Sequence, residues 1–86
     1  MSGPFAVYIL RSRTTGGFYI GHTNNLSERI KRHNTGRTLA NKGGGPHELV
    51  YVEYFATRAE AASRERAIKA KKSRQHIAGL VRTSRA

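Results

Sequence analysis

Phe5-Ala6-Val7-Tyr8-Ile9-Leu10, followed after a polar segment by Phe18-Tyr19-Ile20-Gly21, is the stretch that decides the fold. The first run is dense in β-branched and aromatic residues and reads as a buried strand. Arg11 to Gly17 is polar and ends in Gly16-Gly17, a turn signal, so the second run reads as the returning strand of a hairpin. A turn centred on residues 13–14 would set Tyr8 directly opposite Tyr19, and opposite residues share a sheet face.

Working outward, Asn25 with Glu28 three residues on is a capping-box pattern that opens a helix. Leu26, Ile30 and His33 fall within about 60° of one another at 100° per residue, which defines its buried face. Asn34-Thr35-Gly36 ends it, and residues 37–48 read as a Gly-rich surface loop. Leu49 to Phe55 is a third strand. Thr57-Arg58-Ala59-Glu60 is a second capping box, opening an alanine-rich helix to about Lys72. Ser73 is placed to cap a last short helix ending near Gly79-Leu80, with residues 81–86 as a frayed tail. The order β-β-α-β-α-α predicts an α+β domain over residues 1–80, a three-stranded sheet covered by helices.

The chain has 86 residues, 16 Lys+Arg against 5 Asp+Glu, and no cysteine. That length suits one domain and excludes a separate cofactor module. The absence of cysteine removes thiolate zinc sites, disulfides and cysteine nucleophiles, and the absence of aspartate removes the usual Ser-His-Asp arrangement. A six-residue apolar run is too short to span a bilayer, so a cytoplasmic protein without a membrane partner is expected. A formal charge of +11 points to a polyanion, nucleic acid first. Nine of the basic residues lie in residues 58–86, against Glu60 and Glu65 alone. Arg64, Lys69, Lys71 and Lys72 are therefore expected to face nucleic acid.

Three further features carry chemistry. Tyr8 and Tyr19 can converge on one site, although strand tyrosines also serve simply as packing. Arg29, at the border of the first helix's buried face with His33 four residues on, can offer a bidentate fork to phosphate, or be an ordinary solvated arginine. Glu65 falls within about 60° of Ala61, Ile68 and Lys72 on the wheel. A carboxylate beside that helix's one large aliphatic residue needs a partner: a metal, a base or a hydrogen-bond donor. A Glu65–Lys69 i,i+4 pair is the plainer alternative. The four histidines have no metal-ligand spacing, and Gly43-Gly44-Gly45 is no phosphate loop.

Ala6-Val7-Tyr8, Tyr19-Ile20-Gly21, Asn25-x-x-x-Arg29-x-x-x-His33 and a helix with Glu65-x-x-Ile68-Lys69, in that order, resemble the GIY-YIG nuclease domain, and in particular its small stand-alone bacterial members. The resemblance runs from about residue 5 to residue 78, with Ala6 where the name motif has its first glycine. It implies a three-stranded antiparallel sheet and metal-dependent endonuclease activity on DNA, of low sequence specificity and related to repair. By position, Tyr8 and Tyr19 line the site, Arg29 faces the scissile phosphate, Glu65 holds one Mg²⁺ or Mn²⁺, Gly21 allows close backbone approach to the nucleic acid, and His33 completes the set. Tyr8 is assigned as the base, on the argument that Arg29 and the metal favour its phenolate, with Tyr19 orienting water or phosphate. No small-molecule cofactor is expected. A non-catalytic nucleic-acid-binding module, or a subunit serving a protein partner, are the rival readings.

Overall fold

The structure, a computed structural model, describes residues 3–34, 46–71 and 74–84. They form β1 (Phe5–Ser12), β2 (Phe18–Thr23), α1 (Leu26–Asn34), β3 (His47–Phe55), α2 (Arg58–Lys71) and α3 (Arg74–Ser84). The strands make one antiparallel sheet in the order β2-β1-β3. This is the α+β architecture expected, with the most apolar strand in the middle. Ala6 to Leu10 are at most 2% exposed because β1 is paired on both edges and covered on both faces.

Alternation along β1 sorts the sheet into two faces. Val7 points to the face covered by α2 and α3, where it clusters with Ala61 and Ile68, flanked by Phe5, Ile20, Phe55, Ile77 and Leu80. Tyr8 and Leu10 point to the opposite face, with Gly21 and Tyr19 as their partners on β2. Full burial of Val7, Ile9, Leu10 and Ile68 contributes about 1.5–3 kcal/mol each.

The hairpin differs from the expected one. β1 runs on to Ser12, and the turn closes through Ser12 N–H to the Gly17 carbonyl at 2.8 Å and Gly16 N–H to the Ser12 carbonyl at 2.9 Å. The Ser12 hydroxyl accepts the Thr14 and Thr15 amides at 3.2 and 3.0 Å. Gly16 has φ 76°, a conformation that needs glycine. Tyr8 consequently pairs with Gly21, and Tyr19 with Leu10. The displacement is two residues, and because side chains alternate with period two, both tyrosines keep the same face.

Both expected helix starts are present. Asn25 Oδ1 accepts the Glu28 amide at 3.2 Å. Thr57 and Glu60 exchange bonds at 3.2 Å, Thr57 Oγ1 taking the Glu60 amide and Glu60 Oε1 taking the Thr57 amide, a complete capping box. β3 begins at His47, two residues before Leu49, and its amide is held by Asn34 Oδ1 at 2.7 Å. The expectation of a frayed tail from residue 81 is corrected: α3 passes through Gly79 and continues to Ser84. Ile77 and Leu80 pack on the core and draw the helix past the glycine, whose Cα faces open space. Most of the expected loop 37–48, and the cap at Ser73, lie outside the described residues.

Candidate nuclease site

The site begins with a glycine. Gly21 lies across from Tyr8, and a Cβ on it would stand 2.6 Å from the Tyr8 hydroxyl oxygen and 2.9 Å from its Cζ. The missing side chain is the room into which the phenol folds. Gly21, expected to clear the way for a nucleic-acid backbone, clears it for Tyr8. Tyr19 lies diagonally on the same face, and the two rings stack with centroids 6.3 Å apart and planes 20° from parallel.

Tyr8 is 1% exposed. Burial, joined by Tyr19 and Glu65 and opposed by Arg29, pushes its phenol up to about 12. Desolvation outweighs the Arg29 guanidinium, so Arg29 alone does not make Tyr8 a phenolate. At that value roughly one molecule in 10⁵ would be ionised at pH 7. The Tyr8 hydroxyl feels Tyr19 from β2, Arg29 from α1 and Glu65 from α2. Four residues scattered along the sequence share one neighbourhood.

Arg29 is half-buried on α1 and makes no ion pair among the described residues. Glu65 is 16% exposed at its side chain and has two partners. His22 Nδ1 meets Oε1 at 2.5 Å, and Lys69 Nζ meets Oε2 at 2.7 Å. Burial works to raise its pKa, and Lys69 and His22 together overcome that and hold it below the ordinary value. The carboxylate is thus anionic at neutral pH. Both sequence expectations for it hold: the i,i+4 pair exists, and the half-buried acid has an additional partner from the sheet.

His22 was not among the expected site residues. Two steps from Ile20 along β2, it points to the α2 side of the sheet, and that alternation was the available signal. Arg64, expected to face nucleic acid, has a partner within the chain. Its Nε and Nη2 donate to Glu53 Oε1 and Oε2 at 3.0 and 3.1 Å, so this guanidinium ties α2 to β3. Tyr51 Oη donates to the same Glu53 carboxylate. Lys69 is engaged with Glu65 but half exposed, and Lys71 is exposed on α2. His33 has its backbone in α1; its side chain, and Lys72 altogether, lie outside the described residues.

The donors suit a divalent ion only sparsely. Among the described residues no three His, Cys, Asp or Glu side chains converge. Each carboxylate oxygen has a second lone pair, so Glu65 can serve a magnesium-like ion that keeps most of its waters. Lys69, 53% exposed at its side chain, is able to swing away from Oε2.

The fold agrees with the comparisons. The family model described as the GIY-YIG catalytic domain matches residues 4–78. The chain belongs to the GIY-YIG family, a family of nucleases. It is 48% identical over 64 residues to a UPF0213 protein of Clostridium perfringens, covering 73% of this chain and 68% of that protein. A UPF0213 protein of Oceanobacillus iheyensis is 44% identical over 64 residues, covering 73% of each. Among solved structures, the solution NMR structure of a UPF0213 protein from Bacillus halodurans superposes with a TM-score of 0.58 at 34% identity, covering 92% of this chain and 83% of that one. No helix of the described residues is long and apolar enough to cross a membrane.

Proposed function

We propose that this protein is a metal-dependent endonuclease that hydrolyses phosphodiester bonds of DNA with low sequence specificity, acting in the cytoplasm on irregular or damaged substrates. The observation that carries the reading is the stacking of Tyr8 on Tyr19 at 6.3 Å, with Arg29 and Glu65 near enough to act on the Tyr8 hydroxyl. Two phenols, a guanidinium and a carboxylate close enough to act on one another electrostatically suit a phosphate in transit between oxygens, and a chain of charge +11 would hold its polymer.

In this reading Arg29 donates a fork of hydrogen bonds to the non-bridging phosphate oxygens. Glu65 holds Mg²⁺ or Mn²⁺, which supplies stabilisation of charge on the phosphate and the leaving oxygen. Tyr8, protonated and buried, donates a hydrogen bond. Tyr19, half-buried and nearer solvent, handles the attacking water, which exchanges the two roles assigned from sequence. Lys71, and Lys69 once released, extend the phosphate path along α2.

Incubation with nicked, flapped and single-stranded DNA plus Mg²⁺ or Mn²⁺ tests the proposal. Cleavage that stops in chelator supports it; binding of all substrates with no cleavage at either metal opposes it. That second result is the expectation of a non-catalytic binding module. One observation favours this alternative: both oxygens of Glu65 already have partners within the chain.

A further inference from the structure

Val7 sits in the middle of a row that crosses the whole sheet, paired with His22 of β2 on one side and Glu53 of β3 on the other. Two adjacent residues of α2 reach the two ends of that row. Glu65 meets His22 Nδ1 at 2.5 Å, and Arg64 grips Glu53 with bonds of 3.0 and 3.1 Å. Between these bonds runs the buried seam of α2, Ala61 and Ile68, both 0% exposed and clustered with Val7. At 100° per residue Arg64 and Glu65 stand about 50° to either side of the seam's mean direction.

The arrangement has a mechanical consequence. An apolar seam of one alanine and one isoleucine is narrow, and apolar contact is non-directional, so it resists rolling of the helix about its own axis poorly. Directional bonds on both flanks resist a roll in either sense. The Tyr51 hydroxyl, donating to Glu53, steadies the carboxylate that Arg64 grips. A side-chain tip lies about 5–6 Å from a helix axis, so a roll of about 10° displaces a carboxylate by about 1 Å. Displacements of that size cost on the order of 10²-fold in positioned chemistry.

We infer that Arg64 and Glu53 are positioning residues that fix the roll of α2, and with it the place of the Glu65 carboxylate against His22 and the phenols. The inference rests on Glu65 being the working carboxylate of the proposed nuclease. It gives Arg64 a role within the protein in place of a phosphate contact.

The test uses the full chain with Arg64→Gln, Glu53→Gln and the exchange Glu53→Arg with Arg64→Glu. Three quantities are read: the ¹⁵N chemical shift of His22 Nδ1, Mn²⁺ affinity by electron paramagnetic resonance, and the salt dependence of duplex binding. Each single variant is expected to move the His22 resonance and weaken Mn²⁺ binding at least threefold, with the exchange restoring both and the salt slope unchanged. An unmoved His22 resonance overturns the inference. So does a salt slope reduced by about one, the mark of a lost phosphate contact. Should the single variants not fold, Tyr51→Phe is expected to move the resonance in the same direction by less, and no movement counts against the inference. If Glu65→Gln leaves Mn²⁺ affinity intact, the metal assignment fails while the His22 resonance still judges the role of Arg64.

Discussion

Tyr8 and Gly21 are one unit, a ring and the vacancy that accommodates it. Adding one methyl at Gly21 would bring a carbon within 2.6 Å of the phenolic oxygen, so Gly21→Ala must move the ring. We expect that variant to keep its helix and sheet content by circular dichroism and to lose at least tenfold in cleavage rate. The raised Tyr8 pKa gives a second expectation, read by ultraviolet tyrosinate absorbance. A group pushed up to about 12 contributes no ionisation step near pH 10, so Tyr8→Phe leaves that part of the titration unchanged. A step missing from it would show that Tyr8 ionises normally. At this scale the candidate residues of the proposed site, Tyr8, Tyr19, Arg29 and Glu65, were legible in their spacing. Their environments were not, because burial depends on which elements cover a strand position, and burial decides whether Tyr8 holds its proton.

Among the elements, α2 joins core to site. Its capping box and its boundaries could be read locally, since a cap involves residues three apart. Its long-range bonds could not. His22 and Glu65 are 43 positions apart, and strand alternation says which face His22 takes but not which helical residue arrives there. The hairpin register differs from the expected one for a related reason: bonds accepted by the Ser12 hydroxyl shape the turn, and a repeat of two cannot distinguish registers two residues apart. The acids on both flanks of α2 also predict the acid limb of stability. Burial works to raise Glu53, and Arg64 and Tyr51 overcome it; Lys69 and His22 do the same for Glu65, so both folded pKa values lie below 4.5. A depressed folded value means that the contribution is complete above 4.5 and disappears as pH falls through the lower folded value. Glu53→Gln should therefore destabilise the protein near pH 7, by about 1 kcal/mol for a bond this open to solvent, and flatten the loss of stability below pH 4.5. Urea melts across pH 3–7 read both effects, and an unchanged acid limb would mean that the pair is not coupled to folding.

For the molecule as a whole, charge and fold answer different questions. A charge of +11 was legible at once and argues for a polyanion, yet it leaves enzyme and binder equally well described. The family places the chain among nucleases, and the proposed chemistry centres on Tyr8, Tyr19, Arg29 and Glu65. Binding to duplex DNA is expected to weaken steeply between 50 and 200 mM salt, for wild type and Glu65→Gln alike, since Glu65 is no phosphate contact. Separating binding from chemistry in this way gives the most direct test of the central claim, that Tyr8, Tyr19, Arg29 and Glu65 act together on one phosphodiester. The measurement is single-turnover cleavage of a flapped duplex in Mn²⁺ by wild type and Glu65→Gln, with binding followed in the same samples. The account predicts cleavage by wild type, a loss of at least a hundredfold in the variant, and affinities within about twofold of each other. Equal cleavage by the two proteins would contradict it.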